Sequence, residues 1–186
     1  MKRWLRFTAA VLAAAVLFAL TGCGSSTNSA SFTWFVDSIP ANLDPQVASG
    51  ASDVIACENL YGTLVRKSPD GELVPGLCEK WTVSSDGLTY TFTLKDGLRY
   101  AAAKGAATEY DITAEDFVFA FRRIFRADTA SPYAVEFSAI QNSAAVLAGL
   151  ADESSLGVSA NGALTLVFRL SERDDNLSLI HISEPT

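Results

Sequence analysis

The sequence predicts a mixed α/β fold whose sheet is built from antiparallel hairpins, and three observations carry that prediction. Residues 88–95 alternate strictly after an Asp86-Gly87 turn: Leu88, Tyr90, Phe92 and Leu94 share one face, Thr89, Thr91, Thr93 and Lys95 the other. A second pair of strand-like segments, 156–160 and 163–170, flanks Asn161-Gly162, a strong hairpin turn. Between the two hairpins, Thr113 and Asp116 form the start signature of a helix carrying Phe117, Phe121, Ile124 and Phe125 on one stripe.

The elements follow in chain order. Lys2, Arg3 and Arg6 make a cationic start, and residues 7–20 are an apolar run broken only by Thr8. Fourteen residues are too few to cross a bilayer, which takes about 20, but they suit a secretory h-region. Leu20-Thr21-Gly22-Cys23 then resembles the bacterial lipobox, which implies a lipoprotein signal peptide over 1–22 and a diacylglyceryl group, with further acyl lipid, on Cys23. Two acyl chains suffice for stable anchoring, at roughly 0.8 kcal/mol per buried methylene. Residues 23–31 are small and polar and read as a flexible tether.

Residues 31–38 alternate as a strand, and 40–45 hold two prolines at a turn. Ser52 is placed to cap a helix over 53–64, with Asp53 favourable to its dipole and Val54, Cys57, Tyr61 and Leu64 on one stripe. Gly62 within it signals close packing or an early end. Ser68-Pro69-Asp70-Gly71 is a turn. Residues 77–83 and 88–95 pair as the first hairpin, 96–110 form a loop with an Ala-rich bulge, and the aromatic helix runs from 114 to about 126. Thr129-Ala130-Ser131-Pro132-Tyr133 breaks that helix, and 134–150 reads as a weaker, Ala-rich one.

Residues 177–186, from Leu177 to Thr186 and including the sole histidine, His181, resemble the in-frame translation of a sequencing-library adapter. They are set aside, and 32–176 is read as the truncated native part of a larger protein. The chain carries 14 Lys+Arg against 21 Asp+Glu, a net charge of −7, and its first basic cluster falls within the signal peptide. An acidic remainder lacks the basic footprint of a nucleic-acid binder. Composition also excludes collagen, coiled coil and wholesale disorder. No phosphate loop, zinc motif or nucleophile elbow occurs. Asp86, Asp96, Asp111, Glu115 and Asp116 lie at turns or helix starts and read as solvated or capping acids. The chain therefore reads as a non-enzyme, with no catalytic residues and no metal site.

Several blocks in order carry a resemblance: Asn42-Leu43-Asp44-Pro45; Glu58-Asn59-Leu60-Tyr61-Gly62-Thr63-Leu64; Leu73-Val74-Pro75-Gly76-Leu77-Cys78-Glu79-Lys80-Trp81; Asp86-Gly87-Leu88-Thr89-Tyr90-Thr91-Phe92-Thr93-Leu94; Ile112-Thr113-Ala114-Glu115-Asp116-Phe117; and Ala127-Asp128-Thr129-Ala130-Ser131-Pro132-Tyr133-Ala134. Together they resemble the extracytoplasmic solute-binding proteins of oligopeptide and dipeptide ABC importers, family 5. The resemblance implies a two-lobed, type II periplasmic-binding-protein-like fold, of which this chain is the N-terminal part of lobe one. It implies capture of oligopeptides for membrane permease subunits by a lipid-anchored, extracytoplasmic monomer with no cofactor. Ser38, Ile39, Pro40, Ala41 and Asn42 would lie where the first strand meets the ligand cleft. Another solute (nickel, a sugar, an opine), a peptide-pheromone receptor and, more distantly, an envelope enzyme or structural protein are the alternatives.

With Cys23 acylated, Cys57 and Cys78 are left as an even pair in an oxidising compartment. The resemblance makes their helix and strand neighbours, so a disulfide is one reading, closing a loop of about twenty residues for ~3 kcal/mol. Two buried free thiols are the other. A truncated lobe is further expected to expose the Leu88/Tyr90/Phe92/Leu94 face.

Overall fold

A computed structural model describes residues 33, 35, 37–101 and 110–173. The chain divides into two units, Met1–Phe35 and Val36–Thr186, and every element below belongs to the second. The expected signal peptide, Cys23, the tether, most of the Ala-rich bulge and the tail 177–186 lie outside the described residues. So does much of the expected strand over 31–38, of which the described Thr33, Phe35, Asp37 and Ser38 are not in a strand.

The elements are α1 (Ala51–Leu60), β1 (Val65–Lys67), β2 (Leu73–Pro75), β3 (Cys78–Val83), β4 (Thr89–Leu94), α2 (Ala114–Ile124), α3 (Ser143–Leu147), β5 (Val158–Ala160) and β6 (Thr165–Arg169). Single 3-10 turns at Ala134–Phe137 and Glu153–Ser155 flank α3. One four-stranded sheet has the order β3-β4-β6-β5 with every pair antiparallel, and β1 and β2 form a separate hairpin. The mixed α/β fold with antiparallel hairpins is as the sequence predicts.

Both predicted hairpins form in the expected places. Gly87 and Gly162 close them at φ 73° and 74°, backbone that a Cβ would strain. The central register sets Tyr90 opposite Phe168 and Phe92 opposite Leu166, so β4 and β6 turn their large side chains to the same face. Onto that face packs α2, against β5 and β6. Phe121 meets Phe168 edge-on at 4.8 Å and Phe137 at 5.2 Å, and Phe92 meets Phe168 at 5.7 Å. Such pairs each add about 0.5–1.5 kcal/mol beyond area burial. Tyr90, Phe92 and Leu94 are buried in this core, so the expectation of an exposed β4 face is overturned. The covering helix and the partner strand β6 both come from within the chain.

The capping box is present at the start of α2: the Asp116 carboxylate accepts from the Thr113 N–H at 2.7 Å. All four predicted stripe residues are buried. The loop after β4 is clasped at its base, where Tyr100 N–H donates to Tyr110 and Ile112 N–H to Leu98. Of the expected acids, Asp116 caps α2, Asp86 accepts from Ser84 Oγ and Leu88 N–H, and Asp96 accepts from Gly97 N–H, whereas Asp111 pairs with Arg99 at 3.1 Å.

Two helix expectations are corrected. Residues 134–150 are not one helix, because the sheet recruits their middle. Gln141 donates its N–H to Arg169 and accepts from Gly157 N–H, and Asn142 takes φ 65°, incompatible with a continuous helix. Helix α1 begins at Ala51 with Gly50 as its N-cap, not Ser52, and ends at Leu60 before Tyr61 and Gly62. Of the predicted apolar stripe only Cys57 is buried within the helix, beside the polar Ser52 and Asp53, and Leu64 is buried beyond its end. Gly62 packs instead against Leu77, whose Cδ1 would stand 2.7 Å from an added Cβ.

Candidate functional site

The polar side chains that α1 buries are explained by the segment in front of it. Ser38 and Ser52 share a hydroxyl–hydroxyl hydrogen bond of 2.8 Å. Asp53 Oδ1 accepts from the Ala41 N–H at 2.7 Å and from the Asn42 N–H at 3.3 Å. Asn42 in turn accepts the Asp44 N–H on its own side chain at 2.9 Å, an Asx turn that leads into Pro45. Ile39 is 91% exposed and makes no hydrogen bond among the described residues. The five predicted ligand-site residues thus form a surface segment whose far end is tied down while its middle stays open.

Behind the segment lies a second set of ties, reaching as far as 85 residues along the chain. Arg123, in the last turn of α2, grips the Asp44 carboxylate with both terminal nitrogens, at 2.5 and 3.0 Å. The same guanidinium donates to Gln46 Oε1 at 2.8 Å, and Gln46 Nε2 donates to the Ala120 carbonyl at 2.9 Å. From the other side, Ser131 Oγ donates to the Gln46 carbonyl at 2.6 Å and the Tyr133 hydroxyl donates to the Ala48 carbonyl. Tyr61 O–H reaches the Leu43 carbonyl at 2.7 Å. Three of the sequence blocks therefore meet in one place, and the stretch from Leu43 to Ala48 is fastened to α2, to Tyr61 at the end of α1 and to the Ser131–Tyr133 turn.

The electrostatics suit an anchor, not an acid. Arg123 holds the Asp44 carboxyl below its usual range, the burial that opposes this being the smaller effect, so Asp44 stays anionic at neutral pH. Asp44 in return raises the Arg123 guanidinium above its ordinary value. Nothing here pairs a nucleophile with a base. Among the described residues no cluster of three or more His, Cys, Asp or Glu could hold a metal.

Cys57 and Cys78 are both free and buried, which corrects the disulfide reading. Their surroundings differ: burial and the carboxylates of Asp53 and Asp44 push the Cys57 thiol up, while Cys78 begins β3 opposite Leu94 and is pushed up by burial. Such thiols are inert core residues. Sequence reasoning also missed Asp53 as a ligand of the 38–42 backbone, and Arg123, Gln46 and Ser131 as its supports. Asp53 read as a helix-dipole residue, and nothing local to Arg123 marks its distant partner.

With this geometry in place, the comparisons with known proteins are decisive. Residues 72–186 match the model of the bacterial extracellular solute-binding proteins, family 5 (middle). The chain belongs to this family. It is 35% identical over 135 residues to the periplasmic murein peptide-binding protein MppA of Escherichia coli K12, covering 72% of this chain and 24% of that protein. It is 31% identical over 173 residues to the oligopeptide-binding protein AliB of Streptococcus pneumoniae, covering 91% of this chain and 26% of that one. The solved complex of Haemophilus influenzae OppA with RPPGFSPFR is similar at a TM-score of 0.64 and 27% identity, over 73% of this chain and 26% of that one. This family 5 chain spans about a quarter of the length of the relatives it matches. Its mixed α/β fold with antiparallel sheets is shared with two-lobed, type II binding proteins.

Proposed function

We propose that this family 5 chain is the N-terminal part of lobe one of a lipid-anchored, extracytoplasmic binding protein that captures oligopeptides and delivers them to the permease of an ABC importer. The observation that carries the reading is the segment of Ser38, Ile39, Pro40, Ala41 and Asn42. It is open at Ile39 and held from behind by Asp53, as a surface that receives a ligand must be. A peptide backbone is recognised largely through main-chain hydrogen bonds, which leaves its side chains free to vary and suits a scavenger of mixed peptides. The relatives' own names, murein peptide-binding and oligopeptide-binding, support the same ligand class.

Isothermal titration of the intact protein carrying this chain with a random tripeptide pool tests the reading. Saturable binding in the micromolar range or tighter is expected, and absence of heat with any peptide pool, alongside binding of a metal ion or sugar, counts against it. Two permease and two ATPase genes beside the coding sequence would support import, whereas a solitary gene beside a regulator would favour a pheromone receptor. The anchoring arm of the proposal rests on Leu20-Thr21-Gly22-Cys23 and its h-region.

A further inference from the structure

We propose that Asp53 is a positioning residue for the ligand-facing segment, setting the conformation of 38–42 from behind; the inference deepens the peptide-binding reading and rests on it. Asp53 is the third residue of α1, the place from which an acid ordinarily reaches back to the helix's own N-cap. Here it does something else. Gly50, the N-cap, makes no side-chain cap bond, and an added Cβ at Gly50 would stand 3.1 Å from Asp53 Oδ2, so the carboxylate is folded over that glycine. Its other oxygen passes beyond the cap to the amides of Ala41 and Asn42. Asp53 is only 8% exposed, and a carboxylate is buried at that level when charge-assisted bonds compensate its lost hydration.

Two consequences follow for recognition. Pro40 has no N–H and Asp53 engages those of Ala41 and Asn42, which leaves the N–H of Ile39 as the donor of 39–42 not engaged among the described residues. Asp53 therefore decides which backbone groups a ligand can reach. The Ser38–Ser52 bond comes from the same first turn of α1, so helix and segment are expected to behave as one body.

Amide hydrogen exchange on the full chain, followed residue by residue, tests the assignment. Asp53→Ala is expected to speed exchange at Ala41 and Asn42 about tenfold or more relative to Phe117 and Phe121 in α2, the effect of losing bonds to a charged acceptor. Asp53→Asn keeps Oδ1 and is expected to hold those two amides within about threefold of wild type. Unchanged ratios in Asp53→Ala overturn the proposal, and so does uniform acceleration across the chain that the Asn variant shares. In the intact protein, tripeptide affinity is expected to fall about tenfold in Asp53→Ala and to recover in Asp53→Asn. Full affinity in the Ala variant, despite accelerated exchange, likewise overturns it. A wild type that binds no peptide counts against the peptide reading alone, because the exchange ratios still decide whether Asp53 sets the segment.

Discussion

At the scale of single residues, the ties behind the ligand-facing segment make quantitative expectations. Asp44 and Arg123 are each about 30% exposed at the side chain, a partly screened pair with bidentate geometry. Asp44→Asn is expected to cost about 1–2 kcal/mol at pH 7. Because Arg123 holds the folded-state carboxyl below its ordinary value of 3.8, the pair's contribution is complete above that value. It is lost as pH falls through the lowered folded value, so urea midpoints of wild type and Asp44→Asn should converge in acid and separate near neutrality. A gap independent of pH would show that Asp44 acts by shape alone. Ala130 supplies a second expectation. It sits at φ 48°, where a Cβ costs roughly 1–2 kcal/mol, and its methyl is exposed. Ala130→Gly is expected to stabilise by about 0.5–1 kcal/mol after the extra unfolded-chain entropy of glycine. A lower melting temperature would contradict this. Neither feature was legible in the sequence: Asp44 and Arg123 are 79 residues apart, and left-handed backbone at an alanine has no local signal.

At the scale of elements, the outcome tracks how much of each element's reason for existing is local. Helix α2 has its own cap and its own apolar stripe, and it forms where predicted, to within two residues. The strands β3 and β4 likewise follow from alternation and a Gly turn. Helix α1 was harder to place because two of its three buried residues, Ser52 and Asp53, are polar and serve a segment a dozen residues upstream. The Ala-rich stretch 134–150 had the propensity for one helix, but pairing of Ile140 with Leu170 and of Gln141 with Arg169 competes with it and wins. The aromatic junction of α2 with the sheet offers the sharpest check. Phe121 is buried between Phe137 and Phe168, and Phe121→Ala is expected to destabilise by about 3–5 kcal/mol, measured by chemical denaturation. Exposed Phe119, two residues away, should tolerate the same change within about 0.5 kcal/mol. Similar losses at both sites would mean that α2 does not present the face described.

At the scale of the whole molecule, the described residues hold a closed core while several large apolar side chains, among them Leu60, Phe119 and Val135, remain exposed. The chain spans about a quarter of the length of its relatives, so peptide capture is a property to be measured on the intact protein. Anchoring can be measured separately. Cys23→Ala is expected to abolish incorporation of labelled palmitate and to leave an unprocessed precursor. Normal processing and labelling of that variant would remove the lipid from the account. No helix among the described residues is long and apolar enough to cross a membrane.

By itself the sequence determined the mixed α/β class, both hairpins, the capped aromatic helix and the family, because each is written in short-range periodicity, turn chemistry or ordered motif blocks. The five residues of the proposed ligand segment were also named from the sequence, through resemblance. Only the tertiary structure decided what holds that segment: Asp53 on its amides, and Arg123, Gln46 and Ser131 fastening the chain that follows. It also decided that Cys57 and Cys78 are buried free thiols and that the sheet divides the stretch 134–150. The reason is the same in each case. These are interactions between groups distant along the chain, where a carboxylate or a thiol takes its role from whatever the fold brings beside it.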